Sequence, residues 1–490
     1  MSGFETIIRG ATVVTADGLV PADLGIDSGK LVAFAPGLAG DCREEIDASG
    51  LHLFPGVIDA HVHFNEPGRA QWEGLETGSR ALAAGGGTLF FDMPLNAHPP
   101  TIDRESFMLK LQAAQNKSLV DFAFWGGLVP GNLDRLEELA ECGVIGFKAF
   151  MCNSGIDDFS QVDDRTLREG MKRAARLGLP VAVHAESEAM TRQLAQQYIA
   201  AGRTSVCDFL ETRPVEAELE AIGRALDLAG ETGCELHVVH VSCGAAIRLI
   251  AEARRRGVKV SCETCPHYLL LTAQDMERIG PMAKCAPPLR SKSEQDELWK
   301  CLLAGEIDTV GSDHSPSPPE MKQGADFFKV WGGISSVQHT LPLLLTALSD
   351  EQGRGGNARV SSSSFSVSAA ERQIEHEDEN EKETPCALPQ SPPGLCLFAR
   401  LLSEHVARRF KLPKAKGRIA VGADTDIVLV DLAQSLEIRT EDLLYRHAQT
   451  PYLRRRLQGR VVRTMLRGQT VFRDGKIVAK PLGHLVKPVK

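Results

Sequence analysis

Six side chains able to bind metal ions or move protons stand at the ends of short apolar runs. His61 and His63 form a His-x-His pair in VIDAHVHF, His184 stands in VAVHAE, His240 in HVVHVS, Asp313 in VGSDHSP and Lys148 in IGFKAF. Imidazole and carboxylate are ligands for divalent transition metals. On a strand, residues i and i+2 point to the same side, so His61 and His63 can reach one ion. Any one histidine alone reads more simply as a packed or surface residue. Four of them at strand ends, with a carboxylate, point to a metal-dependent site. Lys148 is a separate problem, because an ammonium in an apolar strand tends to lose its proton. The neutral amine can take up carbon dioxide as a carbamate whose two oxygens bridge two cations. The other reading is a lysine that snorkels to solvent at the strand's edge, and the residues alone leave both open.

The elements that must position these groups follow from periodicity. Strand-like runs occur at Val57–His63, Thr88–Met93, Phe122–Gly127, Val144–Phe150, Val181–Ala185, Leu236–Val241, Val258–Cys262 and Thr309–Asp313. Between them lie stretches with apolar residues at helical spacing: Trp72–Ala84, Glu105–Ala114, Arg165–Leu177, Val215–Ala229 and Gly244–Arg256. Eight buried-type strands alternating with helices predict an α/β fold of the (β/α)8 barrel type over 56–350 and 394–412; a doubly wound sheet is the alternative. The chemistry-bearing residues then lie at the C-terminal ends of the strands, where such barrels carry their sites. Both chain ends read as short β-segments broken by Gly, Asp and Pro, which predicts a small β-domain built from 1–55 and 413–490. Residues 351–393, rich in Ser, Glu, Gly and Pro, read as a disordered insertion that cannot bury enough surface to fold.

Together GVIDAHVHFNEPG, GFKAF, VHAE, HVVHVS, CETCPHYLLL and GSDHSPSPP resemble the cyclic amidohydrolases, the family of dihydroorotases, dihydropyrimidinases and allantoinases. The resemblance spans both flanks and the barrel, with six ligand-type positions in the family's order. It implies a (β/α)8 barrel beside a β-sandwich, a homotetramer and a centre of two divalent ions. Zinc is the first expectation, with manganese, cobalt or iron as alternatives. By position, His61, His63 and Asp313 would hold one ion and His184 and His240 the other. Lys148, as N6-carboxylysine, would bridge them, and Asp313 would carry the catalytic proton. The runs HVHFNEPGRAQWEGLETGSRALAAGGGT, DMPLNAHPPT and SDHSPSPPE resemble the members that open allantoin to allantoate, which makes allantoin the expected small-molecule substrate.

Two departures support that branch. Dihydroorotases carry an arginine two residues after the His-x-His pair to grip a substrate carboxylate, and this chain has Asn65. Dihydropyrimidinases carry a tyrosine soon after the bridging lysine, and this chain has Phe150 to Gly155 (FMCNSG). The same chemistry on a hydantoin, dihydropyrimidine or dihydroorotate is the alternative. A non-catalytic scaffold is a third reading, but it would be expected to lack ligands that are all kept here. Asn65 is expected to hydrogen-bond the substrate or, equally, to cap its loop. His267 in CPHYL and the Lys284–Arg290 turn (KCAPPLR) are expected on the substrate side of the barrel mouth. His237 is expected on the face opposite His240, as packing, and Cys262-x-x-Cys265 as two small strand-end residues.

Composition sets the outer bounds. The chain has 490 residues, 43% hydrophobic, with 55 Lys and Arg against 64 Asp and Glu, a net charge of −9. Without a basic block it is a poor partner for nucleic acid or an anionic membrane. Its apolar runs are far shorter than the ~20 residues of a membrane span. Twelve scattered cysteines and an N-terminus without a signal-like region lead to an expectation of free thiols in the cytoplasm.

Overall fold

The computed structural model describes residues 3–354 and 393–489. Eight parallel strands form the barrel: β1 (Val57–Val62), β2 (Gly87–Asp92), β3 (Asp121–Phe124), β4 (Phe147–Phe150), β5 (Val181–His184), β6 (Leu236–Val238), β7 (Val260–Thr264) and β8 (Thr309–Val310). β1, β2 and β3 pair in that order. Gly126–Gly127 continues the β3 line and pairs with β4, from which the ladder runs through β5, β6 and β7 to β8. The ring closes where the His63 amide donates to the His314 carbonyl at 2.8 Å. Six of the predicted strands match within a residue or so at their starts. The sixth and eighth each stop three residues short of expectation, for a reason found at the site.

Helices cover the outside: Leu75–Ala84, Arg104–Ala114, Asp164–Leu177, Val215–Thr232 and Gly244–Arg255 stand where periodicity predicted them. Asp103 and Ser106 close the start of Arg104–Ala114 as a capping box. The strands alternate between two apolar layers. Residues such as Leu82, Phe107 and Leu167 pack between strands and helices. Ile58, Phe91, Trp125, Ala182 and Phe410 fill the barrel itself. Phe410 follows His405–Arg409, the last turn of a helical run that begins at Pro393. It plugs the barrel by packing edge-on against Trp125 at 5.3 Å and Phe91 at 5.2 Å.

The chain ends share one nine-stranded sheet. His52–Pro55 joins them, running parallel to Phe4–Val14 and antiparallel to Ile427–Glu437. Buried ion pairs tie this sheet to the barrel. Lys416 Nζ reaches Asp121 at 2.6 Å and Asp426 at 2.7 Å, and Arg467 also contacts Asp121. The segment 351–393, expected as an insertion, lies outside the described residues apart from the end of the helix Thr340–Arg354 and Pro393. Among the described residues no helix is long and apolar enough to cross a membrane, and the cysteines are unpaired.

Candidate metal centre

Lys148 of β4 and Ala182, His184 of β5 share the inward face, since Lys148 is level with Ala182 and Phe150 with His184. The inward neighbour of Ala182 on β6 is His237, not His240. Strand parity therefore places His237 inside the barrel and would turn His240 away. His240 nevertheless reaches the site, because its φ of 41° is left-handed and re-aims the side chain just past the end of β6. Asp313 does the same beyond β8, with φ 45°. Such backbone costs of order 1–3 kcal/mol and is kept where function needs it. It is also why both strands end early.

The four imidazoles form a continuous arc. Ring centres are 5.5 Å apart for His63–His61, 5.4 Å for His61–His240 and 4.7 Å for His240–His184. Asp313 Oδ1 lies 3.2 Å from His61 Nε2 and 3.4 Å from His63 Nε2. His184 Nδ1 lies 3.0 Å from His240 Nε2. The Lys148 ammonium is fully buried, 4.9 Å from the Phe150 ring, with no hydrogen-bond partner. That overturns the snorkelling alternative.

Electrostatics sharpens the set. Burial pushes Lys148 down to about 7, against the pull of Asp313 and Glu263. Burial alone would raise the Asp313 carboxyl, but His61 and His63 outweigh it and hold it well below the usual range. Burial keeps His63, His184 and His240 neutral-leaning, and the His184 and Lys148 charges add to this at His240. Neutral imidazoles, an ionised carboxylate and a deprotonatable lysine are the forms in which these groups take metals. Lys148 Nζ is an orphaned donor in the middle of the set, and a cation pair with a carbamate would satisfy it. The residues fit a two-metal centre.

Two buried carboxylates that the sequence reading missed orient His61 and His184. Glu263 Oε1 lies 2.8 Å from His61 Nδ1, which leaves Nε2 for the metal side. Burial would raise Glu263, but the His61 and His237 charges bring it down to about 2. Glu186 Oε2 lies 2.8 Å from His184 Nε2, and Arg213 Nε donates to the other Glu186 oxygen at 2.9 Å. Both left a trace in the sequence: Glu263 is the lone charged residue of the run VSCETC, and Glu186 stands two residues beyond His184.

One expectation needs correction, that for His237, while Asn65 and His267 fall outside the cavity lining. His237 is not on the outer face: it lies within the barrel, sharing a hydrogen bond with Ser261 Oγ at 2.8 Å and 4.0 Å from Glu263. Asn65 does not line the cavity; at φ 63° it shapes the turn after β1, and its Nδ2 points to the Pro316 carbonyl at 3.4 Å. His267 is buried beneath the mouth, with neither ring nitrogen hydrogen-bonded; burial pushes it down to about 4, with the Asp313 charge opposing. The KCAPPLR turn does reach the cavity, through Lys284, Cys285 and Ala286. Cys262 faces Arg254 and the Glu306 carbonyl, consistent with a packing role.

Over the centre lies a cavity of about 350 Å³ with His61, His63, His184, His240 and Asp313 at its floor. Asn96, Asn153, Ser154, Ser315 and Arg213 supply polar wall groups. That volume and lining suit a small polar heterocycle.

Comparison with known proteins agrees with this geometry. The model of the amidohydrolase family matches residues 52–348. The chain is 53% identical to an allantoinase of Rubrobacter xylanophilus over 490 residues, 100% of this chain and 98% of that protein. It is 49% identical to an allantoinase of Deinococcus radiodurans, covering 99% of both. Among solved structures, an L-hydantoinase (dihydropyrimidinase) from Arthrobacter aurescens is similar with a TM-score of 0.88 at 32% identity, over 99% of this chain and 100% of that one.

Proposed function

This chain belongs to the amidohydrolase family, and from that premise we propose that it opens the hydantoin ring of allantoin with water to give allantoate. The observation that carries the reading is the meeting of four histidines, a buried lysine and an ionised aspartate under one small polar cavity. In the reaction, water adds to a ring amide carbonyl carbon and the ring C–N bond breaks. One proton passes from the water to the departing nitrogen and the other is released to solvent, leaving a carboxylate and a ureido group. Asp313, held ionised by His61 and His63, takes that proton and delivers it to the nitrogen. Asn96, Asn153 and Ser154 offer donors and acceptors to the ring and ureido amides.

His61, His63 and Asp313 would hold one divalent ion and His184 and His240 a second, with Lys148 as N6-carboxylysine between them. Zinc is the ion this reading assigns. When bound, the pair supplies an acidified water and a polarised carbonyl. Glu263 and Glu186 hold His61 and His184 in the tautomers this requires. The enzyme is read as a cytoplasmic homotetramer, with 1–55 plus 413–490 and 56–350 plus 394–412 as its two structural units; sedimentation of purified protein tests the assembly. Asn65 acts in this reading on the loop rather than on the substrate, and His267 acts through Asp313.

The deciding experiment supplies metal-reconstituted protein, with and without bicarbonate, with allantoin, hydantoin, dihydrouracil and dihydroorotate in parallel. Turnover of allantoin to allantoate far above the others, raised by bicarbonate, is expected. Faster turnover of any other ring would overturn the substrate assignment, and no turnover of any of them would favour a scaffold.

A further inference from the structure

One wall of the cavity is an irregular stretch, Phe328–Gly333, whose carbonyls join no helix or sheet ladder. Main-chain carbonyls taken out of water need donors. Two buried lysines supply them. Lys284 Nζ donates to the carbonyls of Phe327 at 2.6 Å, Val330 at 2.6 Å and Phe328 at 3.4 Å. Lys322 Nζ donates to Gly333 at 2.6 Å, Trp331 at 3.0 Å and Pro281 at 3.1 Å. An ammonium has three N–H donors and no acceptor, so each lysine is saturated by its three carbonyls. The Lys284 ammonium also lies 4.5 Å from the Phe209 ring centre and 5.1 Å from that of Phe327.

The arrangement is unusual in its charge. Lys284 and Lys322 are only 5% and 6% exposed, and among the described residues neither forms a salt bridge to a carboxylate. Burial pushes both down to about 7, a pressure the carbonyl cages oppose, because a neutral amine would turn a lone pair toward a carbonyl. A buried cation without a counter-ion is costly, so it calls for a role. The segments it joins are close to the substrate and outside the barrel ladder. Lys284 belongs to the turn whose Cys285 and Ala286 also line the cavity. Gly333 donates its amide back to the Lys284 carbonyl at 2.8 Å. On the far side, Trp331 packs edge-on against Trp72 with ring centres 4.8 Å apart.

We propose that Lys284 and Lys322 are positioning residues that fix Phe327–Gly333 as the substrate-facing wall, Lys284 by clamping three of its main-chain carbonyls and Lys322 by tying two of them to the Pro281 carbonyl. The wall's part in substrate binding rests on the function proposed above; the clamping does not. Because neither lysine touches the histidines or Asp313 by hydrogen bond, releasing the wall weakens substrate binding and leaves the chemical step in place.

The test uses full-length, metal-loaded Lys284→Met and Lys322→Met proteins. KM for allantoin is expected to rise about tenfold or more, the equivalent of one lost charged hydrogen bond, with kcat within about threefold of wild type. Independently of any substrate, trypsin is expected to cut after Lys329, whose side chain is 84% exposed within this stretch, about tenfold faster than in wild type while the thermal midpoint of the whole protein stays put. Should the methionine variants not fold, Lys284→Gln and Lys322→Gln keep two N–H donors and are expected to give intermediate changes. Unchanged KM and unchanged cleavage overturn the proposal, as does a loss confined to kcat. Failure of both variant series to fold also overturns it, by making the lysines requirements of the fold. If wild type does not turn over allantoin, the proposed function fails, and the Lys329 cleavage rate still decides the clamp.

Discussion

Glu263 determines which nitrogen of His61 faces the cluster, since Nδ1 is engaged at 2.8 Å and Nε2 is left toward Asp313. Outer carboxylates of this kind are worth about 10–100-fold in metal affinity. Glu263→Gln should therefore lose metal about 10–100-fold more readily in chelator competition, followed by metal analysis. Its ionisation also marks the acid limb of stability. Glu263 is held near 2 in the folded chain against an ordinary value of 4.5. Its stabilisation is therefore fully present above pH 4.5 and is lost as the pH falls from there toward 2. Urea denaturation of metal-free protein between pH 5 and 3 should show a loss in wild type that is smaller in Glu263→Gln. Asp313→Asn keeps the shape of its side chain but cannot take a proton. It should lower kcat by about 10²–10⁴-fold with little change in the thermal midpoint.

Among the elements, the barrel strands were the most legible part of the sequence, because parallel strands covered on both faces read as short continuous apolar runs. The His-x-His pair was equally plain, as His61 lies on β1 and His63 follows directly on its last residue. What periodicity could not supply was the backbone at the ends of β6 and β8. The left-handed turns at His240 and Asp313 break the two-residue alternation, so counting back from an inward His240 put His237 on the opposite face, when ladder register sets it within the barrel beside Glu263. Arg213, Lys284 and Lys322 lie in connecting segments, where no repeat announces an inward side chain. The closing helix carries its own expectation. Phe410 is 1% exposed and touches Phe91, Trp125 and His237 inside the barrel. Phe410→Ala should cost about 3–5 kcal/mol in chemical denaturation, since the barrel wall cannot collapse into the space left.

At the scale of the whole molecule, the two ends of the chain are held to the barrel through a small buried charge network. Lys416 sits among Asp121, Asp424 and Asp426, and these carboxylates raise its ammonium despite burial. Removing that single cation strands buried carboxylates, so Lys416→Met should destabilise the protein by about 3–5 kcal/mol. The loss should vary little between low and high salt, because buried pairs are poorly screened. The pairing of both termini in one sheet also sets an order of events at birth. Pro55 finds its ladder partner only when Ile427 arrives, and ribosomes add about 5–20 residues per second. For some tens of seconds the nascent N-terminal strands present an open, apolar edge to the cell, so newly made chains should depend on holding chaperones far more than the finished protein does.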